Sequence, residues 1–194
     1  MVVSALPSLP WLTILWATPT IGAALVMLLP ATQRVAAKWF ALLVSVAVLA
    51  LILCIGADAQ GPIVLWVGAW PDGLGIVLVA DRLSVIMLLL TSVIAFAAVV
   101  FSLAHWHKAG TQFHALFQFL LMGLNGTFLT GDLFNLFVFF ELLLAASYGL
   151  ALHGSGPARI KAGMHYIVIN LAASLLFLIG VSLIYGVTGT LNMA

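Results

Sequence analysis

One carboxylate stands far from any other charge. Glu141 falls nine residues after Asp132, which places it roughly 14 Å along a helix that starts there, at 1.5 Å per residue. The surrounding string, LFNLFVFFELLLAASYGL, is otherwise almost wholly apolar. A charge at the centre of a membrane-spanning helix costs about 2.5 to 3.5 kcal/mol on insertion scales, so such a residue is a candidate for function by default. At helical spacing Phe134, Phe137, Val138, Leu144, Ala145 and Tyr148 share its face, and they are expected to wall it in. Every Lys and Arg lies in a helix end or a loop. The partner of Glu141 is therefore expected to be a water file, another subunit or sequence outside these residues. The alternative is a permanently protonated Glu hydrogen-bonded to a neighbouring helix.

Other polar residues offer less. Asp132 follows Thr130-Gly131 in an expected tight outer turn, where an Asp caps a helix by accepting amide hydrogen bonds and complements its dipole. Gln118, Met122, Asn125 and Leu129 share a face of the preceding span, with Gly123, Gly126 and Thr127 nearby. Small and polar residues of this kind serve close helix packing and interhelical hydrogen bonds; a water path through Asn125 or Thr127 is the other reading. His165 lies one turn inside the last span, with Asn170 and Ser174 deeper at i,i+4 spacing. Imidazole titrates near neutral pH and passes protons, so His165 is a candidate for proton uptake or an idle interfacial residue. His105, His107 and His114 gather with Lys108 in an expected cytoplasmic loop, but without further ligands they make no metal site. Cys54, the single cysteine, reads as a small core residue. No phosphate-cradling loop, nucleophile elbow or Cys/His metal spacing occurs. No cofactor and no enzyme active site are expected from the chain itself.

The elements that position these residues follow from composition. Of 194 residues, 65% are apolar and 6% charged, against roughly 25% charged in ordinary soluble domains, which excludes a water-soluble globule. A net charge of +1 leaves no basic field for nucleic acid. The first ten residues carry no Lys or Arg, so the positive region of a cleavable leader is missing and the first span is expected to be retained. A crossing helix needs about 20 apolar residues, and six runs supply them: Trp11 to Pro30, Trp39 to Ala57, Leu83 to Ala104, Phe113 to Thr130, Leu133 to Leu152 and Met164 to Gly186. The reading is an all-α membrane protein of six transmembrane helices. Arg34, Lys38, Lys108, Arg159 and Lys161 lie in connections on one side, and only Arg82 on the other. Cytoplasmic loops carry the excess of Lys and Arg, so both termini are expected outside a bacterial inner membrane. The long outer connection from Asp58 to Asp81 holds IVLWVGAW and LGIVLVA around Pro71-Asp72-Gly73. These runs predict a β-hairpin lying against helix ends, with Trp66 and Trp70 at the interface.

Residues 126–150, GTFLTGDLFNLFVFFELLLAASYGL, closely resemble the fifth-helix signature of the antiporter-like subunits shared by Mrp-type multisubunit cation/proton antiporters and respiratory complex I. ADRLSVIMLLLTSVI resembles the start of that family's third helix, and RIKAGMHYIVINLAASLLFLIGVSLIYGVTGTLNMA resembles its sixth. The resemblance implies the N-terminal part of a fold of about fourteen helices with two inverted repeats and broken helices. Residues 1–110 would then be a three-helix segment with an outer hairpin at about 58–81, and residues 111–194 the truncated first half of the first repeat. Glu141 matches the family's fifth-helix glutamate, which pairs with a lysine of a seventh helix beyond this sequence, and the family pattern has Lys where this chain has His165. The resemblance implies other membrane subunits as partners, in a lipid bilayer, with protons and monovalent cations as cargo and the D-type subunits of the Mrp antiporters as the best match. The other functions left open are a proton-translocating subunit of an NADH:quinone oxidoreductase or membrane hydrogenase, and an inert fragment or scaffold.

Overall fold

The computed structural model describes residues 9–29, 34–58, 61–67, 76–105, 112–154 and 156–193. In chain order its elements are α1 (Leu9–Leu28), α2 (Arg34–Asp58), β1 (Ile63–Val67), β2 (Ile76–Ala80), α3 (Arg82–His105), α4 (Phe113–Leu129), α5 (Leu133–Leu152) and α6 (Pro157–Thr188). Each of the six apolar runs forms a helix over its described residues, and the chain is an all-α membrane protein with one small sheet among the described residues. Five of the helices are long and apolar enough to cross a membrane. The exception, α4, has 17 residues, about 25 Å against a hydrocarbon core of about 30 Å. It lies among α1, α2, α3 and α5, so protein rather than lipid covers most of it. In contrast α6 begins at Pro157 instead of Met164 and runs for 32 residues. Proline at the first turn needs no amide partner, and Gly189 in the left-handed region ends the helix with its N–H on Tyr185 O at 2.8 Å.

The predicted hairpin is present as an antiparallel β1–β2 pair, with Ile63 opposite Ala80 and Val67 opposite Ile76. Its Pro71-Asp72-Gly73 turn and Trp70 lie outside the described residues, as do His107 and Lys108, while Trp66 is exposed. The sheet continues where a turn was expected. Thr130-Gly131-Asp132 runs extended beside β2, through a Leu78–Thr130 bridge and a Gly131 N–H donated to Val77 O at 2.8 Å. Residues 191–193 then pair on its other side: Leu133 N–H donates to Leu191 O and Met193 N–H to Gly131 O, both at 2.9 Å. A reverse turn would leave those amide groups unpaired; the extended form satisfies them. At the neighbouring helix start, Asp81 accepts the Ser84 N–H at 2.6 Å. That bond holds the Asp81 carboxyl below its ordinary range.

The main core cluster joins Leu12 and Leu15 of α1, Val48 and Ile52 of α2, Leu88 of α3, Met122 and Leu129 of α4, Phe139 of α5 and Leu65 and Leu78 of the hairpin. Cys54 is exposed on α2, not in this core; a helix apolar all round does not reveal which side faces inward. His114, expected among the loop histidines, is the second residue of α4 and is 6% exposed. The α4 apolar pattern extends back to it, so helix packing covers it.

Close approach of α4 to α5 depends on glycine. A Cβ at Gly123 would stand 2.8 Å from the backbone N of Leu143, and one at Gly126 would enter the Phe139 ring. Backbone cannot rotate aside as a side chain can. Gly123→Ala is therefore expected to push the helices apart and to cost about 1 to 3 kcal/mol, read as a lowered melting temperature of the purified assembly in detergent; an unchanged melt would refute this contact.

Candidate functional site

The helix carrying Glu141 starts at a defined cap. Asp132 is extended and its carboxylate accepts the Asn135 N–H at 2.9 Å. Nine residues on, Glu141 is half-buried. Its Oε1 is covered and has no hydrogen-bond partner. The expected apolar wall is only partly there. Leu144 is buried and Phe137 stacks on Phe177 of α6 at 6.2 Å, but Phe134 is 51% and Val138 37% exposed. They belong to a face of α5 that neither α4 nor α6 covers, so the described residues do not enclose Glu141.

Towards the other end of the same face, Tyr148 Oη is likewise covered and unpartnered. The Tyr148 ring meets Tyr166 of α6 edge-on at 5.6 Å, and Tyr166 Oη lies 2.8 Å from Ser147 Oγ. Tyr166 was not among the candidates from sequence, although it stands one helical turn before Asn170, whose Nδ2 donates to its carbonyl at 2.8 Å. Asn170 and Ser174 line a cavity of about 240 Å³ between α5 and α6, together with Phe137, Phe140 and Phe177. The α5–α6 seam thus brings together Ser147, Tyr148 and Tyr166, with Tyr148 seven residues along α5 from Glu141.

Other candidates point elsewhere. His165 is exposed and its Nδ1 lies 2.8 Å from Lys161 O of its own helix. Thr127 donates its hydroxyl to Gly123 O at 2.8 Å, also within its helix. Asn125 is 1% exposed and extends Nδ2 to Leu15 O of α1 at 3.5 Å. The reason lies in α1. Pro19 has no N–H, and Leu15 is the residue four positions earlier whose carbonyl that N–H would have bonded. Asn125 supplies a donor from a neighbouring helix, one of the ways proline is tolerated inside membrane spans.

Residues 130–194 match the family described as NADH:quinone oxidoreductase/Mrp antiporter, TM. Over 127 residues the chain is 72% identical to the D subunit of a probable K(+)/H(+) antiporter from Rhizobium meliloti (strain 1021), covering 66% of this chain and 24% of that protein. It is 44% identical over 144 residues to the D subunit of the Na(+)/H(+) antiporter of Alkalihalophilus pseudofirmus, covering 73% and 29%. Two solved structures superpose on it. One is the membrane-bound sulfane sulfur reductase, an archaeal respiratory membrane complex (TM-score 0.81, 30% identity, 94% of this chain and 38% of that one). The other is the Mrp complex from Dietzia sp. DQ12-45-1b (TM-score 0.78, 34% identity, 93% and 35%). The chain belongs to the antiporter-like membrane subunits shared by Mrp-type antiporters and NADH:quinone oxidoreductases. Within them, the two curated relatives are D subunits of cation/proton antiporters, and the chain spans less than a third of the length of either.

The Asn125 geometry makes its own prediction. Asn125→Leu leaves Leu15 O without that donor in a buried place, which is expected to cost about 1 to 3 kcal/mol. In a Pro19→Ala background the restored N–H takes over, and the loss shrinks. A double-mutant cycle on thermal stability measures the coupling; strictly additive losses would show that Asn125 does not serve this carbonyl.

Proposed function

We propose that the chain forms part of a membrane subunit of a monovalent cation/proton antiporter, in which Glu141 alternates between a protonated state and an ion-paired one. The observation that carries this reading is a carboxylate deep in a spanning helix with one covered oxygen that no described residue satisfies. Such a group has an unmet demand for a proton or a cation. The uncovered α5 face beside it, with Phe134 and Val138 exposed, is where further helices or another subunit would bring the cation. Each charge crossing the membrane draws on about 2.3 kcal/mol per 100 mV, so an acid that exchanges partners suits the task better than one tightly held. Tyr148 and Tyr166 line the α5–α6 seam from Glu141 towards the start of α6, and His165, Asn125 and Thr127 have subordinate places in this reading. The names of the relatives, as D subunits of K(+)/H(+) and Na(+)/H(+) antiporters, support the class of cargo. The Lys and Arg distribution supports a bacterial cell membrane orientation with the hairpin end outside.

A second reading, a proton-translocating subunit of a respiratory complex without its own redox centre, is favoured by the superposition on the archaeal respiratory assembly. The same assembled complex separates the two. Proton flux that depends on added sodium or potassium supports the antiporter; flux indifferent to both supports the respiratory reading. Glu141→Gln in the complete complex is expected to abolish cation-dependent proton flux, with Glu141→Asp retaining part of it. Undiminished flux in Glu141→Gln would overturn the role of this acid.

A further inference from the structure

A polar layer divides the core on the side of α4 that meets α1 and α2. The main apolar cluster contains Leu12, Leu15, Val48 and Met122; a smaller one consists of Val26, Ala37 and Ala115. Gln118 lies between them along α4 and is fully buried, beside Ser45 of α2 at 2% exposure, and His114 sits one turn earlier at 6%. Gln118 Nε2 donates to Ala41 O of α2 at 3.1 Å and lies 3.5 Å from Ser45 Oγ. That carbonyl only accepts, so the amide orientation is set: the nitrogen faces Ala41 and the oxygen turns away. Gln118 Oε1 then has no donor, and His114 Nδ1 has no partner either.

These atoms sit on side chains at i and i+4 of one helix, whose Cβ atoms are about 5 to 6 Å apart. The two side chains thus face the same part of the bundle, and their buried, unpartnered atoms call for a small molecule that donates to the amide oxygen and, with the imidazole proton on Nε2, to Nδ1. Water has two O–H groups and fits a polar site closed to larger molecules. Unlike the seam around Glu141, this place is enclosed by elements the chain itself supplies.

We propose that His114 Nδ1 and Gln118 Oε1 bind a buried water between α2 and α4, a hydrated site inside the bundle separate from Glu141. The bound water donates one hydrogen to each acceptor, with His114 holding its own proton on Nε2. The polar layer between the two apolar clusters is thereby completed by one enclosed water.

The test is hydroxyl-radical footprinting by X-ray irradiation of the assembled complex in heavy-oxygen water, which labels buried side chains next to ordered water. His114 is expected to take up label several-fold faster than Phe139, a similarly covered residue in the main cluster. Gln118→Leu is expected to bring His114 down to the Phe139 level. Absence of label on His114 in the native complex would overturn the proposal whether or not the variant assembles, and so would unchanged label in Gln118→Leu. Glu141→Gln is expected to leave the label intact, so failure of the antiporter reading and failure of this one give different results.

Discussion

Within hydrocarbon, a backbone or side-chain polar group must find its partner in the protein, because no bulk water is there to complete it. Much of the arrangement of this chain follows from that constraint. Proline at position 19 of α1 withdraws one N–H, and the carbonyl it strands is met by Asn125 from α4. Gln118 reaches another backbone carbonyl, Ala41 O of α2, which also accepts from Ser45 Oγ. Both bonds leave the polar face of α4, the helix that α1, α2, α3 and α5 surround. Protein neighbours rather than length in the bilayer therefore place that helix, which explains how it is also the shortest of the six.

The opposite side of α4 serves contact rather than hydrogen bonding. Gly123 and Gly126 admit the Leu143 backbone and the Phe139 ring, so α5 lies close and its register is fixed by shape. With α5 held there and capped by Asp132, the depth of Glu141 along the helix is determined. Its lateral surroundings are not determined to the same degree, since α6 covers only part of the remaining circumference. The antiporter reading rests on that depth and on a carboxylate oxygen left unsatisfied.

Much of this was legible in the amino-acid order, and the part that was not has a common cause. Hydropathy over about 20 residues located every span, because a bilayer-crossing helix announces itself by composition alone. The hairpin was legible from its β-rich runs, and the place of Glu141 from local spacing. What stayed hidden depends on distant partners. The donor role of Asn125 toward Leu15 O exists only because of a proline more than a hundred residues earlier. Thr130-Gly131-Asp132 reads as a turn by its residue types, yet β2 and residues 191–193 keep it extended from either side. His114 groups with the loop histidines by nearness in sequence alone, although the apolar run from Phe113 already contains it. The expected walls of Glu141 assumed that sharing a helical face with apolar residues means being covered, whereas Phe134 and Val138 lie open.

The pairing of residues 191–193 with the segment between α4 and α5 has a mechanical side. Leu133 N–H on Leu191 O and Met193 N–H on Gly131 O buckle the far end of the longest helix to the first residue of its neighbour. Neither rod can slide lengthwise past the other without tearing both bonds, while tilting about that fastening leaves them whole. Tilt is limited in turn at the opposite membrane face, where α5 and α6 are joined through residues 153–156 and Arg159 donates to His153 O, so the pair is fastened at both ends.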